Sequence, residues 1–169
     1  PQVYIADMRQ ELKTGNRTIF SRKLYELISD RLNKHEQIML FLNKRGTAGF
    51  VSCRSCGYVM KCPHCDVSMT LHRNGKLVCH YCGYETPNVS LCPECGSKYI
   101  LGFKAGTEAV EDAVKKMFPA ARVLRMDMDT TKGKGGHENI LSAFATEQAD
   151  ILIGTQMTVK GHDFPKVTL

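Results

Sequence analysis

The sequence predicts an α/β protein: a parallel sheet with helices packed on its faces, interrupted by a small cysteine-rich module. In both flanks, apolar stretches of strand length alternate with segments whose apolar residues recur at helical spacing, the pattern of parallel strands joined by crossover helices. Between the flanks, from Cys53 to Cys95, fall all eight cysteines of the 169-residue chain. Composition therefore divides the chain into residues 1–49, 50–100 and 101–169.

The first flank opens on an apolar stretch, Val3 to Ala6, followed by a Thr14-Gly15-Asn16 turn signal. Ser21 is the expected N-cap of a helix that places Leu24, Leu27, Ile28 and Leu32 on one face. Gln37 to Leu42 is a short apolar run of buried-strand type that ends in Asn43-Lys44-Arg45-Gly46. In the second flank, Thr107 is the expected cap of a helix carrying Val110, Ala113, Val114 and Met117, stopped by Pro119. Arg122 to Met126 reads as a strand, Glu138 to Thr146 as a helix with Ile140, Leu141 and Phe144 inward, and Ala149 to Gly154 as a second buried strand. Val167-Thr168-Leu169 has the character of a further strand, and with Pro1 in place of Met it gives the expectation of a piece of a longer protein.

Hydrophobic residues make up 43% and charged residues 24%, which excludes a disordered or collagen-like chain. No apolar run approaches the roughly 18 residues that span a bilayer, and PQVYIADMRQ lacks a signal-peptide core, so a cytosolic protein with no membrane partner is expected. A reducing compartment reserves thiols for metals or redox chemistry rather than bridges. The cysteines form four Cys-x-x-Cys pairs, Cys53/Cys56, Cys62/Cys65, Cys79/Cys82 and Cys92/Cys95, enough for two complete tetrahedral zinc sites of four thiolates each, with no open coordination position. Such sites are structural. Gly57, Gly83 and Gly96 follow the second cysteine of three pairs, where a tight knuckle requires positive φ, and Asp66 holds that place in the fourth.

Asn74-Gly75, flanked by strand-like residues, is a type I′ hairpin signal that would bring the second and third knuckles together. This gives one site from Cys62, Cys65, Cys79 and Cys82, and leaves Cys53, Cys56, Cys92 and Cys95 for the other. His64 and His80, inside two pairs, are the alternative ligands of a variant with three cysteines and one histidine. The block has few large apolar residues, so metal binding worth on the order of 10 kcal/mol or more per site would replace the missing core.

Lys132-Gly133-Lys134-Gly135-Gly136 fails as a phosphate loop, because Met128 stands where a Walker glycine belongs and Gly135 where Ser or Thr belongs. GTQMTVKGHDFP, Gly154 to Pro165, leaves a buried strand at its carboxyl end, where open α/β sheets bind ligands, and is rich in donors, acceptors and glycine.

FLNKRG, the cysteine block with its CPHC and CPEC knuckles, FKAGTEAVEDAV, RMDMDTT and ILIGTQMTVKGHDFPKVTL together closely resemble the PriA family of primosomal replication-restart helicases, in order and over essentially the whole chain. Phe103-Lys104-Ala105 departs from the smaller, Gly-containing stretch frequent in that family. The resemblance implies the second RecA-like lobe of a superfamily 2 helicase, interrupted by a module binding two structural Zn2+ in the same nested pairing. It implies that ILIGTQMTVKGHDFP is helicase motif V, with Thr155 and Gln156 near DNA phosphates, Gly161 and Asp163 near the nucleotide, and Arg45 a phosphate contact.

For the parent protein it implies ATP/Mg2+-dependent 3′ to 5′ unwinding and remodelling of stalled or abandoned replication forks in the bacterial cytoplasm, at the nucleoid. Its partners would be forked and single-stranded DNA, primosome proteins and single-stranded-DNA-binding protein. With no Walker A, no acidic Walker B box and no motif VI arginine, this piece alone is expected to be inactive as an ATPase. The competing reading is a free-standing zinc-ribbon module that binds protein or nucleic acid without a motor. A GxxxxGK[ST] box upstream in the parent gene separates the two.

The formal charge of +6 hints at an acidic partner. Eight thiolates and two Zn2+ would lower it to about +2, so the basic balance is largely a counterweight to sulfur, and net charge argues little for DNA.

Overall fold

The computed structural model describes residues 2–42, 49–72, 74–102, 106–127, 129–131, 135–155 and 163–169. It divides into two compact units, Pro1–Ser21 with Thr47–Lys104, and Arg22–Gly46 with Ala105–Leu169. The second unit is thus discontinuous in sequence.

That second unit is the parallel α/β layer. Its strands β1 (Ile38–Phe41), β7 (Val123–Met126) and β8 (Ile151–Gly154) form a parallel sheet in the order β1-β8-β7. Ile38 stands opposite Ile151 and Phe41 opposite Gly154, while Val123 and Met126 meet the same two residues from the other side. The last residues extend this sheet: Gln37 bridges in parallel to Val167, and the Met39 amide donates to the Leu169 carbonyl at 2.8 Å. All four residues of β8 are buried, as a central strand covered on both faces requires.

Helices α2 (Arg22–Asn33), α3 (Thr107–Met117) and α4 (Gly136–Ala145) bury Ile28, then Val110 and Val114, then Leu141 and Phe144. Met126, Leu141, Phe144, Ala149 and Leu152 pack into one core cluster. The helical periodicity of α2, α3 and α4 is therefore the periodicity of burial, whereas the apolar stretch Val3 to Ala6 is exposed. Thr107 differs from its expected role: the N-cap of α3 is Gly106, which makes no side-chain capping bond, and Thr107 is the first helical residue. Its hydroxyl donates instead to Asp127, a stronger charge-assisted bond than capping offers. Gly135 caps α4 in the left-handed region, and a Cβ on Gly136 would lie 3.2 Å from Thr131 Cα. Positive φ at Gly135 and tight backbone approach at Gly136 explain this glycine pair; Lys132, Gly133 and Lys134 lie outside the described residues.

The first unit holds the cysteines. Strand β2 (Val51–Cys53) pairs antiparallel with β6 (Ile100–Gly102), and β3 (Thr70–Leu71), β4 (Lys76–Val78) and β5 (Glu85–Pro87) form an antiparallel meander. The β3–β4 turn is not the type I′ turn expected from Asn74-Gly75. The Gly75 amide donates to the His72 carbonyl and the His72 amide to the Lys76 carbonyl, so three residues close the loop. Gly75 has φ +78°, whereas Asn74 is absent from the described non-glycine residues with positive φ. This is the longer hairpin in which only the last loop residue needs the left-handed region.

A short helix, α1 (Met8–Lys13), was not legible from apolar spacing because it buries no residue. Asp7 caps it, accepting from the Arg9 amide at 2.9 Å. Residues 1–21 join the cysteine unit through Arg54, whose guanidinium donates to the carbonyls of Arg17 and Asn16 at 2.8 and 3.0 Å. Among the described residues, no helix is long and apolar enough to cross a membrane.

Two interactions in the parallel unit lead to measurable expectations. The buried Gln37 side chain donates to the carbonyls of Phe144 and Ala149 at 2.8 and 2.9 Å, tying the start of β1 to the α4–β8 connection. Gln37→Leu leaves both carbonyls without that donor and should cost about 2 kcal/mol in urea unfolding. Asp150 accepts from the Arg122 side chain and amide, and the guanidinium first, opposed by burial, holds its carboxyl below the ordinary value. A lowered folded-state pKa means stability that is complete above the ordinary carboxylate range and lost as pH falls through the folded value. Asp150→Asn should therefore flatten the acid limb of the stability curve below about pH 4, measured by thermal midpoint against pH.

Candidate metal centre

Each Cys-x-x-Cys pair sits on a turn of the same design. In the first knuckle the Gly57 amide donates to the Cys53 carbonyl at 2.8 Å and the Cys53 amide to the Tyr58 carbonyl at 2.7 Å. The same two bonds recur from Cys62 to Asp66 and Val67, from Cys79 to Gly83 and Tyr84, and from Cys92 to Gly96 and Ser97. The residue after the second cysteine has positive φ in all four: +86° at Gly57, +56° at Asp66, +77° at Gly83 and +68° at Gly96. That conformation turns the chain back so that backbone amides face the sulfurs; the Tyr58 amide, for example, lies 3.5 Å from Cys56 Sγ.

The knuckles meet in nested order. Cys53, Cys56, Cys92 and Cys95 form one group and Cys62, Cys65, Cys79 and Cys82 another, with all sulfurs of a group within 4.8 Å of one another. Cys53 to Cys95 and Cys56 to Cys92 are 3.7 Å apart, and Cys62 to Cys82 is 3.6 Å. A disulfide would bring sulfurs to about 2.05 Å. A Zn–S bond of about 2.3 Å places two sulfurs of a tetrahedron roughly 3.75 Å apart. The observed spacing is that of ligands around a common ion, and the all-thiolate donor set suits Zn2+.

The β3–β4 hairpin closes the inner group, although through a different turn from that expected. The outer group is closed by the β2–β6 pair, in which Cys53 stands opposite Ile100. Cys53, Cys62, Cys79 and Cys92 are all buried and pack with Val51, Met69, Leu77 and Ile100. The first cysteine of each pair is thus both a member of a sulfur group and part of the core.

Electrostatics point the same way. Backbone N–H groups of Cys82 and then Tyr81, opposed by burial, lower the Cys79 thiol to about 7. At Cys53 burial raises the pKa, but amides of Cys56 and Ser55 overcome it and bring the thiol to about 7. Cys65 is pushed up to about 12 by its bond to Cys82, by burial and by Cys62. Cys95 also rises to about 12: the Ser97 amide lowers it, but burial and the neighbouring Cys56 and Cys53 sulfurs prevail. One sulfur in each group ionises readily and then holds a neighbour's proton, so full deprotonation calls for a cation among them.

His64 and His80 lie outside both groups. His64 packs edge-on against Tyr84 with ring centroids 5.0 Å apart, and His80 Nε2 faces His72 Nε2. The alternative of three cysteines and one histidine therefore has no support in the geometry.

Of the other candidate residues, Thr155 follows β8 directly and is half-buried, and Asp163 is exposed on the return toward Val167. Arg45, Gln156 and Gly161, and with them Phe103-Lys104-Ala105, lie outside the described residues. Because β1, β7 and β8 are parallel and in register, Leu42, Asp127 and Thr155 share the carboxyl edge of the sheet. Asp127 organises that edge and carries no role in the sequence reading beyond its place in RMDMDTT. It accepts from the amides of Asp129 and Thr130 at 2.9 and 3.0 Å and from Thr107, with Arg125 Nε 3.2 Å away. Burial raises its pKa, but these donors outweigh it and keep the carboxyl below its ordinary value. A second signal was available in the sequence, since Asp followed three residues later by Thr is a common local side-chain-to-backbone motif.

Residues 62–87, which hold the inner group, match the family model described as the PriA DNA helicase Cys-rich region (CRR) domain. The whole chain is 57% identical to the replication restart protein PriA of Bacillus subtilis (strain 168), covering 21% of that protein. It is 48% identical to PriA of Synechocystis over all of this chain and 21% of the relative, and 38% identical to PriA of Haemophilus influenzae over 98% of this chain and 22% of the relative. The chain thus matches the PriA replication restart proteins of several bacteria while spanning about a fifth of their length.

With the sulfur groups as the core of their unit, metal removal has a localised expected outcome. Chelation, or Cys62→Ser, should strip hydrogen-exchange protection from the inner knuckles and leave β1 and β8 protected. Simultaneous loss across both units would show a single cooperative structure instead. Metal analysis of the purified chain should return two zinc ions; a value near zero would refute the assignment.

Proposed function

We propose that this chain is the second motor lobe and zinc module of an ATP-dependent 3′ to 5′ DNA helicase that recognises and remodels stalled or abandoned replication forks. The observation that carries the reading is the similarity of the complete chain, at up to 57% identity among the relatives given above, to replication restart proteins PriA. Two four-cysteine groups at metal-ligand spacing inside an α/β chain add independent support. Under this reading residues 50–100 are the zinc insertion, and residues 1–49 and 101–169 belong to the lobe, although residues 1–21 form a compact unit with the cysteine block.

Each four-cysteine group holds one structural Zn2+, Cys53, Cys56, Cys92 and Cys95 for the first and Cys62, Cys65, Cys79 and Cys82 for the second. Thr155, at the carboxyl edge of the sheet, and Gln156, next to it in sequence, hold phosphates of the translocated strand by neutral hydrogen bonds. Arg45, on the segment after β1, adds a charged contact. Phosphate contacts of this kind position a strand without reading its sequence. Gly161 allows close backbone approach to the nucleotide, and Asp163 orients it. Bound ATP/Mg2+ supplies the energy that changes the spacing between two such lobes. The rigid element that transmits the change in this lobe is the sheet, fixed at its working edge by Asp127.

The parent protein acts in the bacterial cytoplasm, at the nucleoid. It works on forked and single-stranded DNA together with primosome proteins and single-stranded-DNA-binding protein, and promotes primosome assembly. This chain supplies no Walker A or Walker B box, so hydrolysis is assigned to the parent. Full-length parent protein should unwind forked DNA with ATP. Thr155→Ala and Gln156→Ala should each lower unwinding at least tenfold with unchanged zinc content and thermal midpoint. A parent protein with no GxxxxGK[ST] box and no ATP-dependent unwinding would overturn the reading in favour of a docking module.

A further inference from the structure

We infer that His72 and His80 form a third metal site, open to solvent and separate from the two four-cysteine groups, that takes Zn2+ or a similar borderline divalent ion. The two Nε2 atoms lie 3.1 Å apart on solvent-accessible side chains, with ring centroids 5.0 Å apart and ring planes tilted by 42°. Zn–N bonds of about 2.0–2.1 Å put two nitrogens roughly 2.9 Å apart at a right angle and roughly 3.3 Å apart in a tetrahedron. The observed spacing falls between these two geometries.

Neither histidine needs the other as a hydrogen-bond partner, because imidazoles within reach of solvent are served equally well by water, and a neutral contact in water yields little net stability. What brings them together is the backbone. His72 is fixed at the end of β3, its amide donating to the Lys76 carbonyl at 2.9 Å and its carbonyl accepting from the Gly75 amide at 3.1 Å. His80 is fixed inside the third knuckle, between Cys79, whose amide bonds the Tyr84 carbonyl, and the Gly83 amide that returns to Cys79. Two ligands already brought together by hydrogen-bonded backbone lose less freedom on binding an ion, which is the condition for useful affinity from only two protein ligands.

Imidazole nitrogen is a preferred donor for Zn2+, Ni2+ and Cu2+ and a poor one for Mg2+ or Ca2+, which fixes the chemical class. The nearest cation described on the hairpin, Lys76, is paired with Glu85 at 2.9 Å. The remaining coordination positions go to water, so the site exchanges its metal far faster than the closed four-cysteine groups. A bound ion would cross-link the β3–β4 hairpin to the third knuckle. This inference does not rest on the helicase reading.

The test uses the full chain loaded with two tightly bound zinc ions. Long-range proton–nitrogen spectra of the histidine rings are followed while one further equivalent of Zn2+ is added. The ring nitrogens of His72 and His80 should move together and saturate, while His64 stays in place. If neither moves, or if all histidines shift alike without saturating, the site does not exist. His72→Gln and His80→Gln should each abolish uptake of the third equivalent in calorimetry while retaining the first two. Unchanged uptake in both would overturn the assignment, and the wild-type spectra decide even if a variant fails to fold.

Discussion

Four sulfurs gathered within 4.8 Å of one another, twice over, are the constraint on which the cysteine unit depends. Thiols at that spacing cannot all ionise beside one another, and the buried ones cannot reach water to be solvated. A divalent ion resolves both difficulties, because it replaces the protons and turns mutual repulsion into coordination. The arrangement is economical in sequence terms. The first cysteine of each pair is buried, so a unit with few large apolar residues still has an interior.

Four near-identical turns serve this purpose, and their repetition explains how little else the unit needs. Each knuckle aims amides at its sulfurs through one left-handed residue, and the strands need only be long enough to bring knuckles into pairs. Strands of two or three residues suffice. Such short strands would be marginal in a sheet that had to stabilise itself. Here they hold the register that brings the sulfur groups together.

Much of this was legible in sequence because it rests on local chemistry. Spacing and the hairpin signal predicted how the cysteine pairs group, and the glycine after three of them, with Asp66 after the fourth, located the positive-φ positions. Apolar periodicity located α2, α3, α4 and the three parallel strands because those elements bury one face or both. It was silent on α1, which buries nothing and depends on the Asp7 cap. Turn chemistry gave the hairpin but not its type, since Asn-Gly also suits a three-residue loop with glycine last. Thr107 was misread for a related reason. A residue that looks like a helix cap can be claimed by a partner distant in sequence, and Asp127 lies 20 positions away. The pairing of His72 with His80 follows from two separate turns and has no sequence signature.

The β2–β6 pair has a consequence for how the parallel sheet assembles. Ile38 must find Ile151 across a long stretch of chain, and the entropy of closing such a loop rises with its length. Val51 and Gly102 are paired, so the entrance and exit of the intervening cysteine unit are held side by side. Once that unit has formed, the connection the sheet must close behaves as one little more than half as long, a saving of about 0.5 kcal/mol. The cysteine unit therefore acts in assembly as a clip on its own entrance and exit strands.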